Sequence, residues 1–194
     1  MEGSIFIAGA GVQWLRDRMK FFKKAPETEK IVKSLNNNNE IYLVPAFTGL
    51  GAPHWDANAR GVLSGITRDT SPKEIVRATI EAVAYQTFDL FEAMKHDGLR
   101  PKIVKVDGGM VMNNWFSQFL SDIVNVKVLR PEVQETTALG AAFMAGLHIG
   151  VYKSLKDISK NWQLDKKFSP KMKNKTRSVL INGWEKAVKR ALIN

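Results

Sequence analysis

The stretch best suited to hold a ligand is Val106-Asp107-Gly108-Gly109-Met110-Val111-Met112-Asn113-Asn114. Ile103-Val104-Lys105-Val106 has strand composition and leads into a paired-glycine turn, after which Trp115, Phe116, Phe119 and Leu120 recur at helical spacing. Glycine at a strand-to-helix turn lets a ligand reach the backbone with no Cβ in the way. Free N–H groups and the helix dipole then favour a nucleotide or another anion. A plain tight turn has the same local sequence, so the rest of the chain must decide.

The elements that would position this turn alternate between strand and helix. Ser4-Ile5-Phe6-Ile7-Ala8 reads as a strand, followed by Gly9-Ala10-Gly11 and a helical stripe of Val12, Leu15 and Met19 to about Phe22. Residues 26–39 are polar, include four consecutive asparagines and read as a loop. Ile41-Tyr42-Leu43-Val44 is a short strand stopped by Pro45. The Gly- and Pro-punctuated segment Phe47 to Asp56 is no regular element, yet it is apolar enough to fold against something. Residues 61–66 form a short strand. Ser71-Pro72-Lys73-Glu74 is a capping box opening a long core helix with Val76, Ile80, Val83, Thr87, Leu90 and Met94 on one stripe, ending near Gly98. Val126-Lys127-Val128-Leu129 is a further strand. Thr136 or Thr137 caps a helix of small residues from Ala138 to Gly146, which permit close packing or leave room for a flat ring. Leu180, Ile181, Trp184, Val188 and Leu192 close the chain on an amphipathic helix. This alternation predicts an α/β fold with a central sheet.

At 194 residues, 44% hydrophobic and 25% charged, the composition is that of a globular protein with room for a real core. No stretch reaches the apolar length of a membrane span. Met1-Glu2-Gly3 lacks the basic start of a secretory signal, and the absence of cysteine fits a cytoplasmic setting. His54, His96 and His148 have no ligand-like spacing, so no metal site is expected. The net charge of +10 is concentrated in residues 151–194, where 12 Lys/Arg face Asp157, Asp165 and Glu185. No aromatic residues interleave with the basic ones from Lys166 to Arg177 except Phe168, so the tail reads as a solvated surface and not as a nucleic-acid site.

Four segments carry a resemblance to a known family: FIAGAGVQWLRD (Phe6 to Asp17), PAFTGLGAPHW (Pro45 to Trp55), VDGGMVMNN (Val106 to Asn114) and RPEVQETTALGAAFMAG (Arg130 to Gly146). A fifth, Gly61 to Glu81, fits the family's second signature. Together the chain resembles the C-terminal half of the FGGY carbohydrate kinases, with the PAFTGLGAPHW loop favouring their glycerol kinase branch. The fold implied is a partial actin-like ATPase (ribonuclease H-like) domain. A central mixed sheet is flanked by helices over residues 1–150, and a basic helical appendage occupies 151–194. The activity implied is transfer of the ATP γ-phosphate to glycerol, with Mg²⁺.

By position, Gly109 and Asn113 resemble residues lining the adenosine pocket, and Gly9 and Gln13 a second nucleotide contact nearer the ribose and phosphates. Gly109 has no side chain to obstruct a ring, and Asn113 can offer a donor and an acceptor to adenine. No catalytic base is expected in this chain, because the aspartate base, the first phosphate loop, the glycerol contacts and most of the magnesium anchor lie in the family's N-terminal half. Asp107 and Asp56 are assigned to ordering their own turns. The resemblance therefore implies a fragment that binds ATP or ADP weakly, meets glycerol only in the intact enzyme, and self-associates through exposed sheet edges. Two other readings are another FGGY sugar or polyol kinase, and a non-catalytic module whose basic tail binds a partner.

Overall fold

The long helix α3 (Pro72–His96) is the element around which the others assemble. Its start is built as the sequence predicts. The Ser71 hydroxyl accepts from the Lys73 N–H at 3.2 Å, Glu74 Oε2 accepts from the Ser71 N–H at 2.9 Å, and Pro72 occupies the first turn. Burial works to raise the Glu74 pKa, but the Ser71 hydroxyl and backbone N–H groups outweigh it and hold the carboxyl below its ordinary value. The computed structural model describes residues 4–192; Met1–Gly3, read above for a signal, lie outside them.

Helix α3 packs against α1 (Gly9–Asp17), α2 (Glu27–Lys33), α4 (Asn114–Val124) and strand β1 (Tyr42–Val44). β1 pairs antiparallel with β2 (Val62–Ser64). A second sheet has the order β3 (Ile103–Lys105), β4 (Lys127–Pro131), β5 (Leu164–Phe168), parallel across the first pair and antiparallel across the second. Between them run α5 (Thr136–His148) and α6 (Leu155–Ser159), and α7 (Asn174–Ala191) ends the described chain. The sheet is mixed and flanked by helices, but its strands fall into two separate sheets joined by one apolar core. Leu15, Tyr42, Val44, Ile80, Phe119, Val128 and Trp184 all belong to that core. At its centre the Tyr85 and Trp184 rings stack 5.3 Å apart.

One charged group is sealed in that core. Arg77 Nε donates to Glu81 Oε1 at 2.7 Å, Tyr85 Oη donates to Glu81 Oε2 at 3.1 Å, and Arg77 also donates to the Leu35 carbonyl at 2.7 Å. Burial pushes the Glu81 carboxyl up, with Arg77 opposing. The network fastens the polar 35–40 segment to α3.

Several expectations are corrected. Ser4–Ala8 has strand-forming residues but takes no strand conformation, and among the described residues no strand pairs with it. Residues 26–39 contain helix α2, which buries Thr28 and Val32 at a spacing of four. The tail holds β5 in addition to helices. Its polar Asp165, Lys166 and Lys167 become a strand because β4 is there to pair with. Neither Thr136 nor Thr137 caps α5; Glu135 occupies that place without a side-chain bond. The small residues of α5 pack on no sheet, and only Gly146 is buried. The Phe47 to Asp56 loop does fold against the body: the Phe47 ring lies 5.0 Å from that of Trp14, and Leu50 is buried.

Candidate functional site

Gly9, Gln13, Gly109 and Asn113, more than ninety residues apart in sequence, line one cavity of about 310 Å³. Two helix starts and the glycine turn bring them together. Gly9 and Gln13 sit on the first turns of α1. Gly108 makes the bend after β3 with φ +81°, which only glycine adopts without strain, and a 3₁₀ turn (Gly109–Met112) follows. Asn113 then opens α4.

A Cβ built on Gly9 or Gly109 would meet no protein atom within 4 Å, so both point at open space. The walls of that space are apolar: Val12 from α1, Pro26 before α2, Ile80 from α3 and Met110 from the turn. A slot with apolar faces and a few polar groups at its corners suits a flat heterocycle.

The polar groups are arranged differently from the sequence expectation. Asn113 is the N-cap of α4: its Oδ1 accepts from the Phe116 N–H at 3.0 Å. The cap fixes the orientation of the amide, with Oδ1 turned to the backbone and Nδ2 lying 3.4 Å from Thr28 Oγ1. The anion affinity expected of this helix start is also spoken for, since Glu29 Oε2 accepts from the Asn114 N–H at 3.4 Å. Desolvation works to raise the Glu29 pKa, but Lys33, 2.5 Å from Oε1, and the Asn114 N–H overcome it and hold the carboxyl below its ordinary value. A carboxylate at this corner repels phosphate. The start of α1 is different: Ala8 provides no side-chain cap, and although the Gly11 N–H donates to the Ala8 carbonyl at 3.0 Å, the helix start carries no carboxylate to offset its dipole.

Thr28, Glu29 and Arg16 also line the cavity and were missed in the sequence. The signal for the first two was present: Pro26 followed by Glu27 and Glu29, with Lys33 four residues after Glu29, marks a helix start. Arg16 lies beside Asp17, which takes both its Nε and Nη2 at 2.7 and 2.8 Å. Of the two set-aside aspartates, Asp56 bonds within its own turn, its Oδ1 accepting the Asn58 and Ala59 N–H groups at 2.8 and 3.0 Å, whereas Asp107 accepts from the Thr136 hydroxyl at the start of α5, 29 residues away. Among the described residues no group of three or more His, Cys, Asp or Glu is gathered to hold a metal ion.

A sequence profile of the FGGY family of carbohydrate kinases, C-terminal domain, matches residues 1–149. The chain belongs to this family. Among FGGY proteins it is 55% identical over 190 residues to glycerol kinase 1 of Pseudomonas aeruginosa, covering 98% of this chain and 38% of that protein. It is 52% identical over 193 residues to a glycerol kinase of Clostridium botulinum, covering 99% and 39%. The chain thus spans less than two fifths of the length of these relatives. Among solved structures, a Plasmodium falciparum glycerol kinase with ADP superposes with a TM-score of 0.87 at 38% identity, over 99% of this chain and 38% of that one. A ligand-bound xylulose kinase of Lactobacillus acidophilus, 23% identical with a TM-score of 0.78 over 97% of this chain and 38% of that one, shares the fold. The fold is the actin-like ATPase fold.

Proposed function

We propose that this chain forms the nucleotide-holding wall of an ATP-dependent glycerol kinase. The observation that carries the reading is the convergence of Gly9, Gln13, Gly109 and Asn113 on one apolar slot with a glycine at each end. The base enters between Val12, Ile80 and Met110, with Asn113 Nδ2 donating to a ring nitrogen. The ribose and phosphates run toward Gly9 and Gln13, where the uncapped start of α1 offers N–H groups to the phosphates. The carboxylate of Glu29 enforces this direction by repelling phosphate from the other end. The glycerol kinase relatives support ATP as the phosphoryl donor and glycerol as the acceptor. Magnesium would travel with the phosphates, and no step is assigned to it from this chain's own residues.

Phosphoryl transfer also needs a group to orient the attacking hydroxyl and charge to hold the transferring phosphoryl. Asp107 is engaged by the Thr136 hydroxyl and Asp56 by its own turn, and neither is assigned this work. This chain alone therefore binds ADP weakly and does not turn over. ATP chemistry of this kind belongs in the cytoplasm. Copies of the chain associate through apolar side chains exposed at and beyond α5, among them Met144, Ile149 and Val151. The test is a titration of the chain with ADP beside a steady-state assay with glycerol and MgATP. Saturable ADP binding without turnover is the expected result; robust turnover, or no binding at millimolar ADP, overturns the reading.

A further inference from the structure

The end of the slot that repels phosphate has chemistry of its own. Helix α2 and the start of α4 meet there, joined by the contacts of Thr28 with Asn113 and of Glu29 with Asn114. One corner of the cavity therefore carries two polar groups of fixed and opposite character. Asn113 presents its Nδ2 amide there, a donor, because its Oδ1 is turned to the Phe116 N–H at the helix start. Glu29 can only accept, and its two oxygens keep lone pairs beyond those used by Lys33 and Asn114. The Glu29 side chain is only 22% exposed, so its contacts are made largely out of water.

We propose that Glu29 and Asn113 act as an acceptor–donor pair that selects a 6-amino purine over a 6-oxo purine, an inference that rests on the nucleotide reading above. In a 6-amino purine the exocyclic N–H donates to Glu29 while the neighbouring ring nitrogen accepts from Asn113 Nδ2. A 6-oxo purine in the same pose sets a carbonyl oxygen against the carboxylate, two acceptors with no proton between them. A partly buried group left facing its own kind costs more than a missing contact does. The specificity thus comes from a residue of α2 that is 85 positions from Asn114, the residue it touches.

The test uses the whole chain and three nucleotides: ADP, inosine diphosphate, and ADP dimethylated on the 6-amino group, which has no proton to donate. Calorimetric titration of the unaltered protein is expected to give ADP at least about tenfold tighter binding than either analogue. In Glu29→Gln the amide can turn to donate to a 6-oxo group, and the ratio between ADP and inosine diphosphate is expected to close to within about threefold. Equal binding of all three nucleotides by the unaltered protein overturns the inference, as does a ratio unmoved in a folded Glu29→Gln. Should that variant not fold, the dimethylated analogue decides alone. Failure of every nucleotide to bind would remove the nucleotide reading itself, which separates the two failures.

Discussion

On the proposed nucleotide reading Asn113 carries two roles on one side chain, and substitution can separate them. Its Oδ1 caps α4 through the Phe116 N–H at 3.0 Å, while Nδ2 is the group left for a base. Asn113→Asp keeps an oxygen where the cap needs one and adds a negative charge at a helix start. The favourable dipole interaction is worth about 0.3–1 kcal/mol, offset by the nearby Glu29 carboxylate. Stability should therefore stay within about 0.5 kcal/mol of the parent. Binding should not, because the donor is gone and a ring nitrogen now faces a carboxylate.

An unmade hydrogen bond with two acceptors opposed costs about 2 kcal/mol, or roughly thirtyfold in Kd. Asn113→Ala makes the complementary control, losing the cap at a cost of about 1 kcal/mol in stability as well as the donor. Urea unfolding gives the stability of each variant and calorimetric titration with ADP gives the affinity. The expected pattern is Asp stable and weak, Ala unstable and weak. An Asp variant that binds ADP within twofold of the parent would refute the assignment of Nδ2 to the base.

Other substitutions test neighbouring parts of the argument. Gly109→Val places its side chain in open cavity, so stability should change by less than about 0.5 kcal/mol while ADP affinity falls at least about tenfold; thermal melts and titration read the two separately. Glu81→Gln leaves the Arg77 guanidinium buried against a neutral amide and should cost about 3 kcal/mol in urea unfolding. A loss under 1 kcal/mol would mean the pair contributes no more than a surface bridge. Glu74→Ala breaks the capping box and should cost about 1 kcal/mol at neutral pH. Because the folded carboxyl titrates below its ordinary value, its stabilisation is present at neutral pH and lost as pH falls through the carboxylate range. The gap between parent and variant should narrow accordingly toward about pH 3.

What could be read ahead of the structure follows from where each residue's partner lies. The start of α3 was legible because Ser71, Pro72 and Glu74 complete one another within four positions. Strand β1 was legible because Tyr42, Leu43 and Val44 are all buried, and β2 because its short apolar run pairs with it. Strand β5 was not, since Asp165, Lys166 and Lys167 have no strand preference. They are held by the β4 ladder and by Arg130, whose Nε donates to Asp165 at 2.6 Å. Ser4–Ala8 is the converse, with strand-forming residues and no ladder to join.

The site divides on the same line. Gly109 could be placed at a cavity wall from its own lack of a side chain. The orientation of the Asn113 amide required knowing that α4 begins one residue later and that Oδ1 caps it. Glu29 was hidden further, because its position in the cavity depends on a contact 85 residues away and on a helix that the surrounding polar sequence disguised. A binding residue is visible in sequence when its chemistry is its own. It is invisible when a distant element decides which of its atoms remain free, and the corner shared by α2 and α4 is of that second kind.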